Sequence, residues 1–304
     1  MPAGDARARV VGVDVARGLA LLGMFAVHVL PTFTGDGGPT TATLIAGGRS
    51  AATFVLVAGI GLALVSGGRR AVRGAERIGV GAGMAVRAAL IAGLGLLLGE
   101  LSEDSGVIGI LPYYGLYFLL AVPLVGLGPR ALGAVAAAFV VLGPVLLVAT
   151  ADVDWPDPDL DGDPTFATLV GDPLGLLTLL TVSGYYPAVI YLAYLCAGMA
   201  IGRLDLGSRR VAWTILGVGA ALAVVAQAVS ALVLYAGGGL AALAAETSSA
   251  VTAGLLWQPD LSASWWYLAL PAPHSHSTVD VVYVLGSAMV VVGAALLLTR
   301  IPVV

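Results

Sequence analysis

Residues Arg9–Pro31, RVVGVDVARGLALLGMFAVHVLP, decide the fold, because an apolar run long enough to cross a bilayer carries only three strongly polar residues after its first turn. They are Asp14, Arg17 and His28. At roughly 100° per residue, His28 falls about 40° from Asp14 and about 20° from Arg17 around a helix, while the rise separates Asp14 from His28 by about 21 Å. One helix face therefore carries polar groups from one side of a membrane nearly to the other.

Composition extends that reading to the whole chain. Of 304 residues, 59% are hydrophobic and 11% charged, and the mean hydropathy is +0.99, whereas soluble domains carry about 25% charged residues. The pattern predicts an all-α, polytopic membrane bundle forming a single domain over residues 1–304. The apolar runs are too long for barrel strands, and helices satisfy their own backbone hydrogen bonds where water is absent. Eight spans are expected, at about 10–32, 49–67, 79–100, 107–126, 131–151, 186–204, 210–236 and 279–299, with outer loops at 152–185 and 237–278. An apolar segment at Leu174–Val182 is too short to cross alone and is expected at the interface or as a re-entrant piece.

All 14 basic residues are Arg, and the chain has neither Lys nor Asn, a usage that points to a high-GC, bacterial coding bias. With the N-terminus in the cytoplasm, Arg69, Arg70, Arg73, Arg77, Arg130, Arg203, Arg209, Arg210 and Arg300 all fall on inward segments, as the orientation rule requires. Multi-pass insertion in a bacterial inner membrane follows. Arg49 is the exception, since it opens the second span from the outer side. Glu100, Glu103, Asp104, the cluster Asp152–Asp163, Glu246 and Asp260 fall in outward segments. The single Cys196 excludes a disulfide framework and reads as a packing residue.

Several groups have chemistry to offer. Asp14 and Arg17, three residues apart, can pair along one turn or form a polar wall where arginine's planar fork meets phosphate. His28 can serve as a general base or transient acyl acceptor, or simply as an interfacial polar residue. Arg49 follows two glycines and can bind an anion or carbonyl, or snorkel to headgroups. Arg69, Arg73 and, further along the third span, Arg87 can hold phosphates of a nucleotide-like donor; anionic-lipid contact is the commoner role of such clusters. Pro273-His274-Ser275-His276-Ser277-Thr278 offers two imidazoles beside three hydroxyls, without the third ligand that a zinc site needs. Asp157-x-Asp159-x-Asp161-Gly162 opens like a calcium loop, but Thr168 stands where the closing Glu belongs, and no metal is expected. No phosphate-loop or nucleic-acid signature is present.

The segment Val13–Met24, VDVARGLALLGM, resembles the opening of the heparan-α-glucosaminide N-acetyltransferase catalytic-domain family and of the related YeiB-type bacterial membrane proteins, within the transmembrane acyltransferases. The likeness continues through Gly48-Arg49 to Gly59, Ile110–Gly115, Gly184–Pro187 to Arg203, and Pro273–Ser275. It implies an enzyme that takes an acyl group, acetyl above all, from cytoplasmic acetyl-CoA or another acyl-CoA and delivers it to an extracytoplasmic sugar or glycan. It also implies about two further helices beyond Val304. In eukaryotic members the catalytic His lies before the second helix; here the loop Thr32–Gly48 has none. More distant sugar O-acyltransferases carry a functional His at the outer end of their first helix, which assigns the catalytic role to His28.

On this reading His28, Arg49 and His274 form the catalytic and acceptor side, and Asp14, Arg17, Arg87, Arg69 and Arg73 the donor side. The partners expected are membrane lipids and a glycan or small-molecule acceptor, with a homodimer among the oligomeric states open to such a bundle and no nucleic acid. Two rivals remain at this level: a proton-coupled transporter or flippase, in which the same polar residues line a path, and a non-catalytic scaffold of the same fold.

Overall fold

The computed structural model describes residues 9–35, 38–101, 109–158, 160, 162–246, 256 and 261–301. These residues form helices α1 (Val11–Val29), α2 (Thr41–Ala46), α3 (Arg49–Val65), α4 (Gly74–Gly99), α5 (Leu111–Ala121), α6 (Pro129–Ala149), α7 (Phe166–Gly171), α8 (Pro173–Thr178), α9 (Ala188–Gly202), α10 (Arg209–Ala231), α11 (Gly239–Glu246) and α12 (Thr278–Leu298). Among the described residues there is no strand, only an isolated bridge between Phe33 and Pro39. The chain is a multi-pass helical membrane protein.

The number of spans departs from the expected eight. Among the described residues, six helical segments are long and apolar enough to cross: Val11–Val29, Thr41–Val65, Gly74–Gly99, Pro129–Ala149, Arg209–Ala236 and Thr278–Leu298. A seventh exists if Pro173–Ser183 and Ala188–Gly202, bent by 59°, count as one broken span. The physical reason is length, since α9 has 15 residues and at about 1.5 Å per residue reaches only about 22 Å. The short apolar segment before it therefore belongs to the same crossing or re-enters beside it. Leu111–Leu124 is likewise apolar but short, and residues 102–108 ahead of it lie outside the description, as do Trp257, Asp159 and Asp161.

Helices α3 and α9 occupy the centre. α3 packs on α1, α9 and α12, α9 also on α6, and α10 lies along α12. Small residues make this possible, because without a hydrophobic drive between helices in lipid, association depends on close van der Waals approach. A β-carbon on Gly59 would run into the Leu195 carbonyl, and one on Gly198 into that of Leu56. Across the α10–α12 contact, β-carbons on Gly219 and Gly286 would each come within 2.6 Å of the other's carbonyl oxygen.

The termini of the helices sort into two faces. One carries the start of α1, the end of α3 and the start of α4, with most of the arginines. Here Arg203 is buried and ties three segments together: Nη1 donates to the carbonyls of Ala63, Ser66 and Gly68 at 3.0, 2.9 and 2.8 Å, and Nη2 to Ser66 Oγ and the Val125 carbonyl at 3.0 and 2.6 Å. Its charge thus has a structural task beyond orientation. The opposite face carries the end of α1, the start of α3, the bend before α9 and the start of α12, with all three histidines.

Candidate functional site

On the arginine-rich face, Asp14 and Arg17 lie one turn apart on α1 and pair at 3.3 Å, and Arg9 reaches the other oxygen of Asp14 at 2.6 Å. They line a cavity of about 400 Å³ together with Val10, Val13, Gly61, Leu64, Val65, Gly67 and Gly68. Two guanidiniums against one carboxylate leave a net positive wall, and each guanidinium keeps donors beyond those given to Asp14. The donor set suits a phosphate-bearing molecule.

The remaining arginines expected on this side do not line the cavity. Arg69 pairs with Asp205 at 3.5 Å across the surface, Arg73 is the residue preceding α4, and Arg87 sits midway along α4, exposed. α4 packs chiefly on α5, and this carries Arg87 away from α1.

On the opposite face the loop before α12 presents His274 and His276. Both adopt positive φ, 59° and 55°, which is uncommon for side-chain-bearing residues and clusters at functional sites. A local network holds them. Tyr267 Oη donates to the Ser275 carbonyl at 3.0 Å, the Ser277 backbone N–H to Ser275 Oγ at 3.3 Å, and Ser277 Oγ to the Leu270 carbonyl at 2.5 Å. Ser277 also caps α12 by accepting from the Asp280 N–H at 2.9 Å, and buried Asp280 accepts the His276 N–H at 3.3 Å. Ser277 is thus the cap that starts α12, the commoner role of such a loop.

Nδ1 of His274 and Nε2 of His276 are buried without a hydrogen-bond partner. Burial, then the neighbouring positive charge of His28, pushes His274 down to about 4. Burial, then His274, pushes His276 down to about 3. Both are neutral imidazoles at ordinary pH. They look onto a cavity of about 670 Å³ whose wall includes Asp154, Trp155, Asp157, Ser183 and Tyr185. The acidic loop thus supplies part of this wall.

His28 closes the last turn of α1. Its Nδ1 lies 2.6 Å from the Met24 carbonyl; since a carbonyl can only accept, Nδ1 carries the hydrogen, and Nε2 of the neutral ring is left with the lone pair. The structure brings His28 within electrostatic reach of His274. Gly48 completes the junction: its φ of 69° is a left-handed turn, and a β-carbon there would sit 3.7 Å from the His274 nitrogen and 3.8 Å from the ring.

His28 is exposed and, like Arg49, is not among the residues that line the cavity of His274. The Arg49 guanidinium lies 5.0 Å above the Tyr283 ring, Nη1 donates to the Leu44 carbonyl, and the residue lines a separate groove between α1, α3, α10 and α12.

Sequence reading passed over His276 as a site residue, together with a column of tyrosines beneath the histidines. Ring centroids step from His274 to Tyr185 at 4.3 Å, Tyr185 to Tyr186 at 5.0 Å, Tyr186 to Tyr191 at 5.5 Å, Tyr191 to Tyr117 at 6.0 Å and Tyr117 to Tyr114 at 5.7 Å. Tyr117 Oη donates to the Tyr186 carbonyl. The available signal was the pair of motifs Pro112-Tyr113-Tyr114 and Tyr185-Tyr186-Pro187. Among the described residues no group of three His, Cys, Asp or Glu is arranged to hold a metal.

No curated protein and no solved structure matches the chain. The family model described as heparan-alpha-glucosaminide N-acetyltransferase, catalytic, matches residues 9–236, three-quarters of the sequence, from the Asp14–Arg17 turn to the end of α10; His274 and α12 lie beyond the match. The chain belongs to the heparan-alpha-glucosaminide N-acetyltransferase catalytic-domain family.

Proposed function

We propose that the protein transfers an acetyl group from acetyl-CoA, bound at the arginine-rich face, to a hydroxyl or amine of a sugar-like acceptor at the histidine face. The observation that carries this reading is that α1 ends in His28 on the face where Gly48 packs against His274, with the Asp14–Arg17 cavity at its other end. Membership of a membrane acetyltransferase family supplies the reaction class. The arginine-rich face is the cytoplasmic one by the distribution of positive charge, and a bacterial inner membrane fits the composition.

Acetyl-CoA supplies the thioester. Arg17 and Arg9 hold its phosphates. His28 acts through Nε2, taking the proton from the acceptor as it attacks, or accepting the acetyl group transiently. In the net reaction the acceptor oxygen or nitrogen bonds to the acetyl carbon, the C–S bond breaks, and the acceptor's proton ends on the thiol of CoA. His274, neutral and buried, lines the acceptor's cavity, and Trp155 and Tyr185 offer apolar faces to a sugar ring. Arg49 takes no part in this scheme, because its guanidinium occupies another groove.

The test is CoA thiol release by protein in proteoliposomes, with acetyl-CoA and a panel of amino sugars and neutral sugars. His28→Ala should lower kcat by about 10²-fold or more, the usual contribution of a positioned acid–base group. Full turnover by that variant would remove His28 from the reaction. Proton-coupled uptake of a sugar with no CoA binding would replace transfer by transport.

A further inference from the structure

The groove that holds Arg49 is separate from both cavities described above. Its volume is about 550 Å³, and its walls are Leu19, Ala20 and Gly23 of α1, Ile45 and Ala46 of α2, Arg49, Ser50 and Thr53 of α3, Ala223 of α10, and the α12 residues Tyr283, Ser287, Val290 and Val291. α1 and α10 both pack on α12, so they stand as its two banks. Leu19 and Ile45 on the rim are 52% and 70% exposed. From Tyr283 to Val291 the groove descends eight residues of α12, about 12 Å along the helix.

Its polarity is concentrated at one end. Thr53 Oγ1 donates to the Arg49 carbonyl at 2.7 Å and Ser287 Oγ to the Tyr283 carbonyl at 2.8 Å, so these two hydroxyls serve their own helices; Ser50 and Tyr283 lie at the Arg49 end, and the wall beyond is formed by Leu19, Ala20, Ala223, Val290 and Val291. Arg49, at the mouth, has no carboxylate within ion-pairing distance among the described residues. Among the described residues its one hydrogen bond runs from Nη1 to the Leu44 carbonyl, while the guanidinium face lies over the Tyr283 ring. It is also the one arginine of the histidine face among the described residues. A cation with free donors above a hydrocarbon-lined slot is complementary to one kind of molecule.

We propose that this groove is a binding site for a membrane lipid with a phosphate-bearing, net anionic head group, its phosphate on Arg49 and one chain lying along α12. A chain gains little by leaving the bilayer for a protein groove, since lipid tails are as apolar as the lining. Selectivity therefore falls on the head, where a guanidinium recognises phosphate through paired hydrogen bonds. Because Arg49 follows Gly48, the head group would rest beside the turn that meets His274. The proposal concerns binding and stands whether or not acetyl transfer does.

Purified protein in detergent is irradiated with phosphatidylglycerol carrying a photoreactive acyl chain, and in parallel with the matching phosphatidylcholine. Adducts should map to Leu19–Gly23 and Tyr283–Val291. Phosphatidylglycerol should label about tenfold more, the discrimination expected of one charge-assisted contact. Arg49→Gln should bring the two lipids level, and Leu19→Trp, which fills the groove and leaves Arg49 intact, should remove both adducts. Arg69→Gln should change nothing. Equal labelling by the two lipids, adducts spread evenly over α4 and α10, or undiminished labelling of a folded Arg49→Gln variant would overturn the proposal.

Discussion

The two loop histidines make the stability of the native protein depend on pH in a defined direction. His274 is held down from an ordinary 6.5 to about 4 by burial and by the charge of His28. The native state thus declines a proton that the unfolded chain accepts once the pH drops below about 6.5. For a group whose native pKa is depressed in this sense, the neutral ring's stability is fully present above the unfolded value. It is lost progressively as the pH falls toward the native one. Over that window the difference amounts to about 3 kcal/mol for His274 alone, and His276, held down to about 3, adds loss in the same direction.

The assay is thermal unfolding in detergent from about pH 7.5 to pH 4.5, wild type against His274→Gln and His28→Gln. Wild type should lose stability steadily below about pH 6.5. His274→Gln should flatten the slope by about one proton's worth. His28→Gln should leave the onset in place and reduce the total loss contributed by His274, since without His28 the ring accepts its proton at less cost. A slope unchanged in His274→Gln would refute the assignment of a neutral, buried imidazole, and with it the electrostatic picture of this face.

Two other perturbations probe the scaffold. Arg203→Met should destabilise by about 3–5 kcal/mol, because it removes the buried donors that tie the carbonyls of Ser66, Gly68 and Val125 to the end of α9; a change below about 1 kcal/mol in chemical denaturation would mean that Arg203 only sets orientation. Gly198→Ala should cost about 1–3 kcal/mol through its clash with the Leu56 carbonyl, measured the same way, and a neutral result would show that α3 and α9 slide apart freely.

The long helices were legible in the sequence because apolar length is a local property. The stretch from Val11 to Val29 is helical as its pattern predicts, and the Asp14–Arg17 pair follows from spacing alone. The broken crossing was half legible: the short apolar piece was visible, but its 59° bend onto α9 depends on the π-turn at Leu179–Ser183 and on what it packs against. Where side chains point was least legible. Arg49 and His274 both adjoin Gly48, yet a glycine turn sends one to Tyr283 and the other to Tyr185. Arg87 looked like a donor contact only because sequence order cannot show that α4 packs away from α1.

In the proposed reaction, the donor and acceptor ends are joined by the helices that line both. α1 carries Asp14 and Arg17 at one end and His28 at the other; α3 carries Gly48 at the histidine end and Gly61, Leu64 and Val65 at the arginine end. Both pack on each other and on α12, and about 21 Å of rise along α1 separates Asp14 from His28. That separation constrains the chemistry. Either the donor's thioester reaches along the α1–α3 seam to His28 while its phosphates stay at Arg17, or the acetyl group changes carriers on the way. The tyrosine column runs down to Tyr114, and its upper end touches His274. Bulk placed on this seam would separate donor binding from transfer in the first case, leaving KM for acetyl-CoA unchanged while kcat falls.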